Sequence, residues 1–229
     1  METIFSKESN TGKNYIAFFD LDHTITKAIS GNELARVAYR KGHMTRSALA
    51  YAFYLSLVYK LNLKDPQKII DKMVTWVKGI PENTMFDLCF EVFRDVLLPS
   101  VYPKARSEIK SHKEKFAKVV ILSSALTQIC REMAKNLEMD DIICSDLEVK
   151  KGYLTGHLHG RLCFGEEKMF RLKKYCEINN TNPSDAWYYG DSFSDLHVLD
   201  SVGNPVCVNP DSKLKKAALK RGWKILHWY

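Results

Sequence analysis

Short, wholly apolar runs alternate with longer stretches of helical periodicity along most of this chain. Tyr15, Ile16, Ala17, Phe18 and Phe19 form one such run, and a buried strand is predicted over residues 15–20. From about residue 30 to 98 no strand pattern follows. Helical periodicity covers Asn32 to Lys41, then Thr45 to Lys60 after a stop at Gly42, then a third helix opened by Asp65-Pro66 and ending at Gly79. A fourth begins at Pro81 and runs to Pro99, so the segment reads as a small four-helix bundle. Alternation resumes near residue 103. Ala105 to Phe116 is helical, Lys118 to Leu122 a strand, Leu126 to Leu137 a helix and Ile142 to Cys144 a short strand. Residues 148 to 164 alternate around Gly152, Gly156 and Gly160, which predicts antiparallel ribbons. A helix over Glu166 to Cys176, strands over Ala186 to Tyr189, Pro205 to Val208 and Lys224 to Leu226, and a helix over Leu214 to Arg221 complete the pattern.

Repeated strand–helix units predict an α/β fold, a parallel sheet sandwiched by helices. The helical stretch interrupts this pattern after the first strand and reads as an inserted cap. On this division residues 1–27 and 104–229 form the core and residues 28–103 the cap. The helix over Ser47 to Tyr59 is apolar nearly all round, which predicts a helix buried among others, with a lip touching a greasy substrate or lipid as the alternative reading.

Composition narrows the picture. A chain of 229 residues with 45% apolar content has enough material for a folded core. Its net charge of +7 serves solubility or attracts an anionic substrate. The basic residues are scattered and no nucleic-acid-binding motif occurs, so no nucleic-acid partner is expected. Six cysteines without Cys-x-x-Cys spacing predict buried thiols in a reducing cytoplasm rather than a zinc site. His157 and His159 read as exposed strand residues. The longest uncharged run is thirteen residues, too short to span a bilayer, and the polar first fourteen residues lack the apolar core of a signal peptide.

The chemistry concentrates at strand ends. Asp20 and Asp22 follow the first apolar run in Phe-Phe-Asp-Leu-Asp-His-Thr, and Gly190-Asp191-Ser-Phe-Ser-Asp195 follows the run Trp187, Tyr188, Tyr189. Asp-x-Asp alone also suits a turn or a helix cap. Two such clusters on neighbouring strands, however, would meet at the carboxyl edge of the sheet, where open α/β folds bind ligands. Together they suit a hard divalent cation, with one carboxylate placed to attack an electrophile. Phosphate-ester hydrolysis needs these parts plus an anion cradle and a fixed cation. Ser123, after a strand and before a predicted helix, fits the cradle together with Ser124, and fits an ordinary N-cap equally well. Lys168, in the first turn of a helix where its charge opposes the helix dipole, fits the cation.

The ordered set Asp20-Leu-Asp22-His-Thr24, Ser123, Lys168 and Gly190-Asp191-Ser-Phe-Ser-Asp195 resembles the haloacid dehalogenase superfamily, and within it the phosphoserine-phosphatase-like subfamily with a helical type-I cap. The tail around Gly203 to Asp211 is similar to that group as well. The resemblance implies a Rossmann-like core with a mobile cap and a Mg²⁺-dependent phosphomonoesterase working through an aspartyl-phosphate on a small phosphorylated metabolite. It implies Asp20 as nucleophile, Asp22 as general acid and base, Thr24 and Ser123 as phosphate ligands, and Lys168 beside Asp20. It also implies Asp20, Asp191 and the main-chain carbonyl of Asp22 as Mg²⁺ ligands, supported by Asp195. The sequence departs from the subfamily at Ile29, where phosphoserine phosphatases carry a substrate-binding glutamate; the nearest acid is Glu33. Phosphoserine is therefore a poor expectation. A phosphotransferase, or a phosphate-binding protein without turnover, remains an alternative. Aromatic cap residues (Tyr39, Tyr51, Phe53, Tyr54, Tyr59, Trp76, Phe86) are expected mostly in the core, and Arg36, Arg40 and Arg46 either serve acidic substrates or face solvent.

Overall fold

The computed structural model describes residues 15–60 and 66–228. Asp65, Tyr59's side chain and the first fourteen residues, on which some expectations fell, lie outside what it describes. Its centre is a six-stranded parallel sheet in the order β3-β2-β1-β6-β7-β8. The strands are β1 (Ile16–Phe19), β2 (Lys118–Leu126), β3 (Asp141–Ser145), β6 (Trp187–Gly190), β7 (Asn204–Val208) and β8 (Lys224–Leu226). A two-stranded antiparallel hairpin, β4 (Leu147–Lys150) and β5 (Tyr153–Leu158), stands beside it.

β1 is apolar at every position because both its faces are covered. Ala17 and Phe19 point to the face packed by α5 (Pro103–Glu114) and α6 (Thr127–Asn136), through Ala105, Ile109, Ile129 and Met133. Ile16 and Phe18 point to the opposite face, covered by α7 (Gly165–Ile178), α8 (Leu196–Leu199) and α9 (Ser212–Arg221), through Leu172, Val198 and Leu214. Full burial of each phenylalanine contributes roughly 1.5–3 kcal/mol. β1 therefore sits mid-sheet, and its end is fixed from both sides.

Between β1 and α5 lie four helices: α1 (Ser30–Arg40), α2 (Arg46–Lys60), α3 (Pro66–Met73) and α4 (Glu82–Val92). The chain leaves and re-enters the core along two adjacent segments. Thr26 and Val101 form an antiparallel bridge, Tyr102 N–H donates to Ile25 at 3.0 Å, and Lys27 N–H donates to Ser100 at 3.0 Å. The bundle is also tied to the hairpin, since Gly79 N–H donates to Leu154 O and Leu154 N–H to Ile80 O.

Several predicted elements need correction. The third helix stops at Met73 and a single 3₁₀ turn, Thr75–Val77, replaces its last turn. The fourth stops at Val92 and passes through a π turn, Phe93–Leu97, and a 3₁₀ turn holding Pro99. β2 continues to Leu126, held by pairing of Leu126 with Ser145, so the next helix starts at Thr127 and not at Leu126. The cap aromatics are not mostly core: Tyr51, Tyr54 and Phe86 are exposed, and so is Leu57. α2 buries Ala52, Leu55 and Val58, half-buries Ala48, Leu49 and Phe53, and leaves Tyr51, Tyr54 and Leu57 exposed. Arg36 pairs with Glu33, Arg40 with Glu91, and Arg46 donates to Tyr39 Oη, all on the exposed side.

Candidate active site

Parallel pairing brings the chemistry together. Phe19 is level with Ile121 of β2 and with Tyr189 of β6, so Asp20 and Asp191, just past their strands, and Ser123, within β2, stand at nearly one height. Asp20 N–H donates to Tyr189 O at 2.9 Å, which fixes the first loop against the second. Carboxylate oxygens of Asp20, Asp191 and Asp195 lie within 4.8 Å of one another. Asp195, expected to support the metal ligands, has a carboxylate oxygen within this group. Gly190 permits that approach: a Cβ there would sit 2.7 Å from Asp195 Oδ2. Asp211 fastens the loop, accepting from Phe193 N–H at 2.8 Å while its own N–H donates to Asp191 O.

Lys168 Nζ reaches in from the first turn of α7 and donates to Asp20 Oδ1 and Asp195 Oδ1, each at 2.9 Å. Only 3% of Lys168 is exposed. Burial alone would push its pKa down, but Asp195 and Asp20 outweigh it and hold the ammonium well above its usual range. Burial, reinforced by Asp20 and Asp195, pushes the Asp191 carboxyl well above the usual carboxylate range. Three carboxyl groups crowd one ammonium in a largely buried site, and their full ionisation would leave a surplus of two negative charges. That surplus and the all-oxygen donor set fit a hard divalent cation of the Mg²⁺ type.

Asp22 is arranged differently. Its carboxylate accepts from Ser30 N–H at 3.0 Å and Ser30 Oγ–H at 2.9 Å, both from the first residue of α1. Its side chain thus faces α1 instead of the acidic group. Burial raises the Asp22 pKa to about 7, against the pull of the Ser30 hydrogen bonds. A carboxyl near that value can both give and take a proton at neutral pH. Ser30 was not anticipated; a serine opening a helix reads as a cap, and only tertiary placement aims it at Asp22.

The anion-binding candidates divide. Thr24 is fully buried and its hydroxyl finds no hydrogen-bond partner among the described residues, a cost that a bound oxyanion would remove. Ser123 is buried inside the last part of β2, where its oxygen accepts from Ala125 N–H at 3.3 Å. It is therefore neither a helix N-cap nor at a helix N-terminus, contrary to expectation: three residues separate it from Thr127. Ser124 is half-buried and faces a cavity between core and bundle.

That cavity measures about 170 Å³ and begins at Asp22, Ser30 and Ser124. Ile29, Leu34, Val74, Trp76, Leu126 and Leu158 line it, from bundle and core alike. Trp76 is the one expected cap aromatic in its wall among the described residues; Glu33, Arg36, Arg40 and Arg46 are not part of it. All six cysteines are buried free thiols, and His157 and His159 are exposed. No helix among the described residues is long and apolar enough to cross a membrane.

The family model of haloacid dehalogenase-like hydrolases matches residues 17–200. A histidinol-phosphatase from Neisseria meningitidis serogroup C is 26% identical over 220 residues, covering 93% of this chain and 98% of that one. A protein of unknown function from Bordetella pertussis Tohama I has the same fold, with a TM-score of 0.85 at 23% identity over 94% of this chain and 99% of that one. A substrate-bound phosphoserine phosphatase gives a TM-score of 0.72 at 20% identity over 89% and 90% of the two chains. At these identities the structural likenesses speak for the fold.

Proposed function

From a chain that belongs to the haloacid dehalogenase-like hydrolases, and specifically resembles its phosphoserine-phosphatase-like members, we propose a phosphatase that cleaves a small phosphate monoester through an aspartyl-phosphate on Asp20. One observation carries this reading: three strand-end carboxylates within 4.8 Å, bridged by a buried lysine.

In the proposed reaction an Asp20 carboxylate oxygen forms a bond to phosphorus as the ester P–O bond breaks. Lys168 holds Asp20 Oδ1, which orients that carboxylate. Asp22, protonated at the outset, gives its proton to the departing oxygen and so releases an alcohol. In the second half a water attacks phosphorus, the Asp22 carboxylate takes its proton, and Asp20 is restored. Ser30 holds Asp22 in position for both transfers. Thr24, Ser123 and Ser124 supply donors to the phosphoryl oxygens; the unpartnered Thr24 hydroxyl supports this most directly. Asp20, Asp191 and the Asp22 main-chain carbonyl would hold Mg²⁺, with Asp195 beside them. When bound, the ion neutralises phosphoryl charge as a Lewis acid. The bundle of residues 28–103 acts as a cap over the site.

Hydrolysis of a simple ester such as methyl phosphate, followed by phosphate release with Mg²⁺ and with chelator, tests this reading. Asp20→Asn should cost at least about 10³-fold in kcat while the fold persists. Undiminished turnover by that variant would remove the covalent mechanism.

A further inference from the structure

We infer that the leaving group is apolar, uncharged and about the size of a benzene ring. This rests on the phosphatase reading above and names its substrate class. The cavity starts at Asp22, the group proposed to protonate the departing oxygen, so whatever that oxygen carries must enter it. Asp22 is the single ionisable side chain in its wall among the described residues. Beyond the Asp22–Ser30 pair the polar side chains are neutral (Asn32, Ser56, Ser124 and Ser145), and the remaining side chains are apolar, Trp76 among them.

Consider a leaving group bearing an ammonium or a carboxylate. It would leave water for a wall that offers no opposite charge beyond the catalytic acid. An unpaired buried charge is costly enough to decide specificity. The residues that could have answered such charges are engaged elsewhere. Glu33 accepts from Arg36 at 2.5 Å, Arg36 also lies over the Phe53 ring at 5.2 Å, and Arg40 is paired with Glu91. Ile29 and Leu34, on either side of Ser30 and Asn32, bring only aliphatic side chains to this wall. An apolar group, by contrast, would exchange water for the side chains of Leu126, Val74, Trp76 and Leu158. Size follows from volume: a dry cavity of about 150 Å³ with an apolar wall takes one benzene.

Four esters test this on the intact protein with Mg²⁺: methyl, benzyl, 2-aminoethyl and O-seryl phosphate. Methanol and benzyl alcohol are similar leaving groups, so their ratio reads the cavity and not the chemistry. The expected kcat/KM for benzyl phosphate exceeds that for methyl phosphate by roughly 10- to 200-fold. The two charged esters should fall about 10²-fold or more below benzyl phosphate. Methyl phosphate turned over as fast as benzyl phosphate overturns the inference, and so does either charged ester matching benzyl phosphate; in both cases the phosphatase reading stands. Absence of turnover with all four esters instead defeats the phosphatase reading, and this inference with it.

Discussion

Tyr188 and Tyr189 are neighbours in β6, point to opposite faces of the sheet and anchor two buried polar networks of opposite character. Tyr189 lies flat on Phe19, 4.3 Å between ring centroids, and its hydroxyl donates to Glu108 at 2.6 Å. His112 sits 2.8 Å from the same hydroxyl through Nε2 and 2.9 Å from Tyr15 Oη through Nδ1. One neutral tautomer satisfies every partner: Nε2–H donates to Tyr189, and Nδ1 accepts from Tyr15. Across the sheet, Lys168 lies 5.4 Å above the Tyr188 ring and bridges two of three crowded carboxylates. The first network closes on itself around a neutral imidazole, with one half-buried carboxylate, Glu108, at its edge, and acts as a structural core. The second is over-charged and leaves the Thr24 hydroxyl open. Buried polarity alone is thus no mark of a site; unbalanced charge and unsatisfied donors are.

The largest difference between the networks should appear when their charges are edited. In chelator, Lys168→Met strips the only cation from the acidic group and should cost about 3–5 kcal/mol in urea-unfolding free energy. Asp191→Asn relieves repulsion in the same group and should raise stability while abolishing Mg²⁺-dependent turnover. Mg²⁺ should then raise the wild-type midpoint and leave that of Asp191→Asn unmoved. Should both substitutions shift stability in the same direction, the surplus negative charge is not there.

The His112 network should answer to pH. Burial lowers the His112 pKa to about 4 from its ordinary 6.5. Between those values the unfolded chain binds a proton that the folded chain refuses, so stability falls as pH drops from about 6.5 to about 4. The loss saturates below the lower value at about 3 kcal/mol. His112→Phe removes this contribution; the stability difference between wild type and variant, measured by urea titration at stepped pH, should change across that window and be flat above it. A difference that stays constant from pH 4 to 8 would mean that the imidazole is charged in place or reached by water (about one tenfold step per 1.4 kcal/mol makes the contrast measurable).

Much of the over-charged network was readable in the chain. An apolar run buried on both faces, followed at once by an acid, marks the carboxyl edge of a parallel sheet, and Asp20 and Asp191 both follow that rule. What escaped depends on contacts distant in sequence. Two serines before a helical pattern look like a cap, but pairing with Ser145 extends β2 through them. Apolar residues all round α2 do not tell which are covered, and Tyr54 and Leu57 are left exposed. His112 stands in a lysine-rich helix and carries no sequence signal, because Tyr15 and Tyr189 that bury it come from two other strands' surroundings. Ser30 and Asp211 act through hydrogen bonds to residues on other segments, and their residue types suit ordinary caps.

Backbone strain divides the networks as well, with the smallest effect. His23, between Asp22 and Thr24, has φ of +60°, in the left-handed region that disfavours any residue with a Cβ. No member of the His112 network has a positive φ. Strain of this kind persists where the surroundings impose it, and it gathers at sites where a loop must aim several groups at one point. Replacing His23 by glycine and by alanine removes the side chain in both cases and leaves only the backbone difference. His23→Gly should be the more stable of the two by roughly 0.5–1 kcal/mol, the left-handed penalty less the extra unfolded-state entropy of glycine. An alanine variant equal to or more stable than the glycine variant in urea unfolding would mean that the loop is not held in this conformation, and the positioning of Asp20 and Thr24 would then need another source of rigidity.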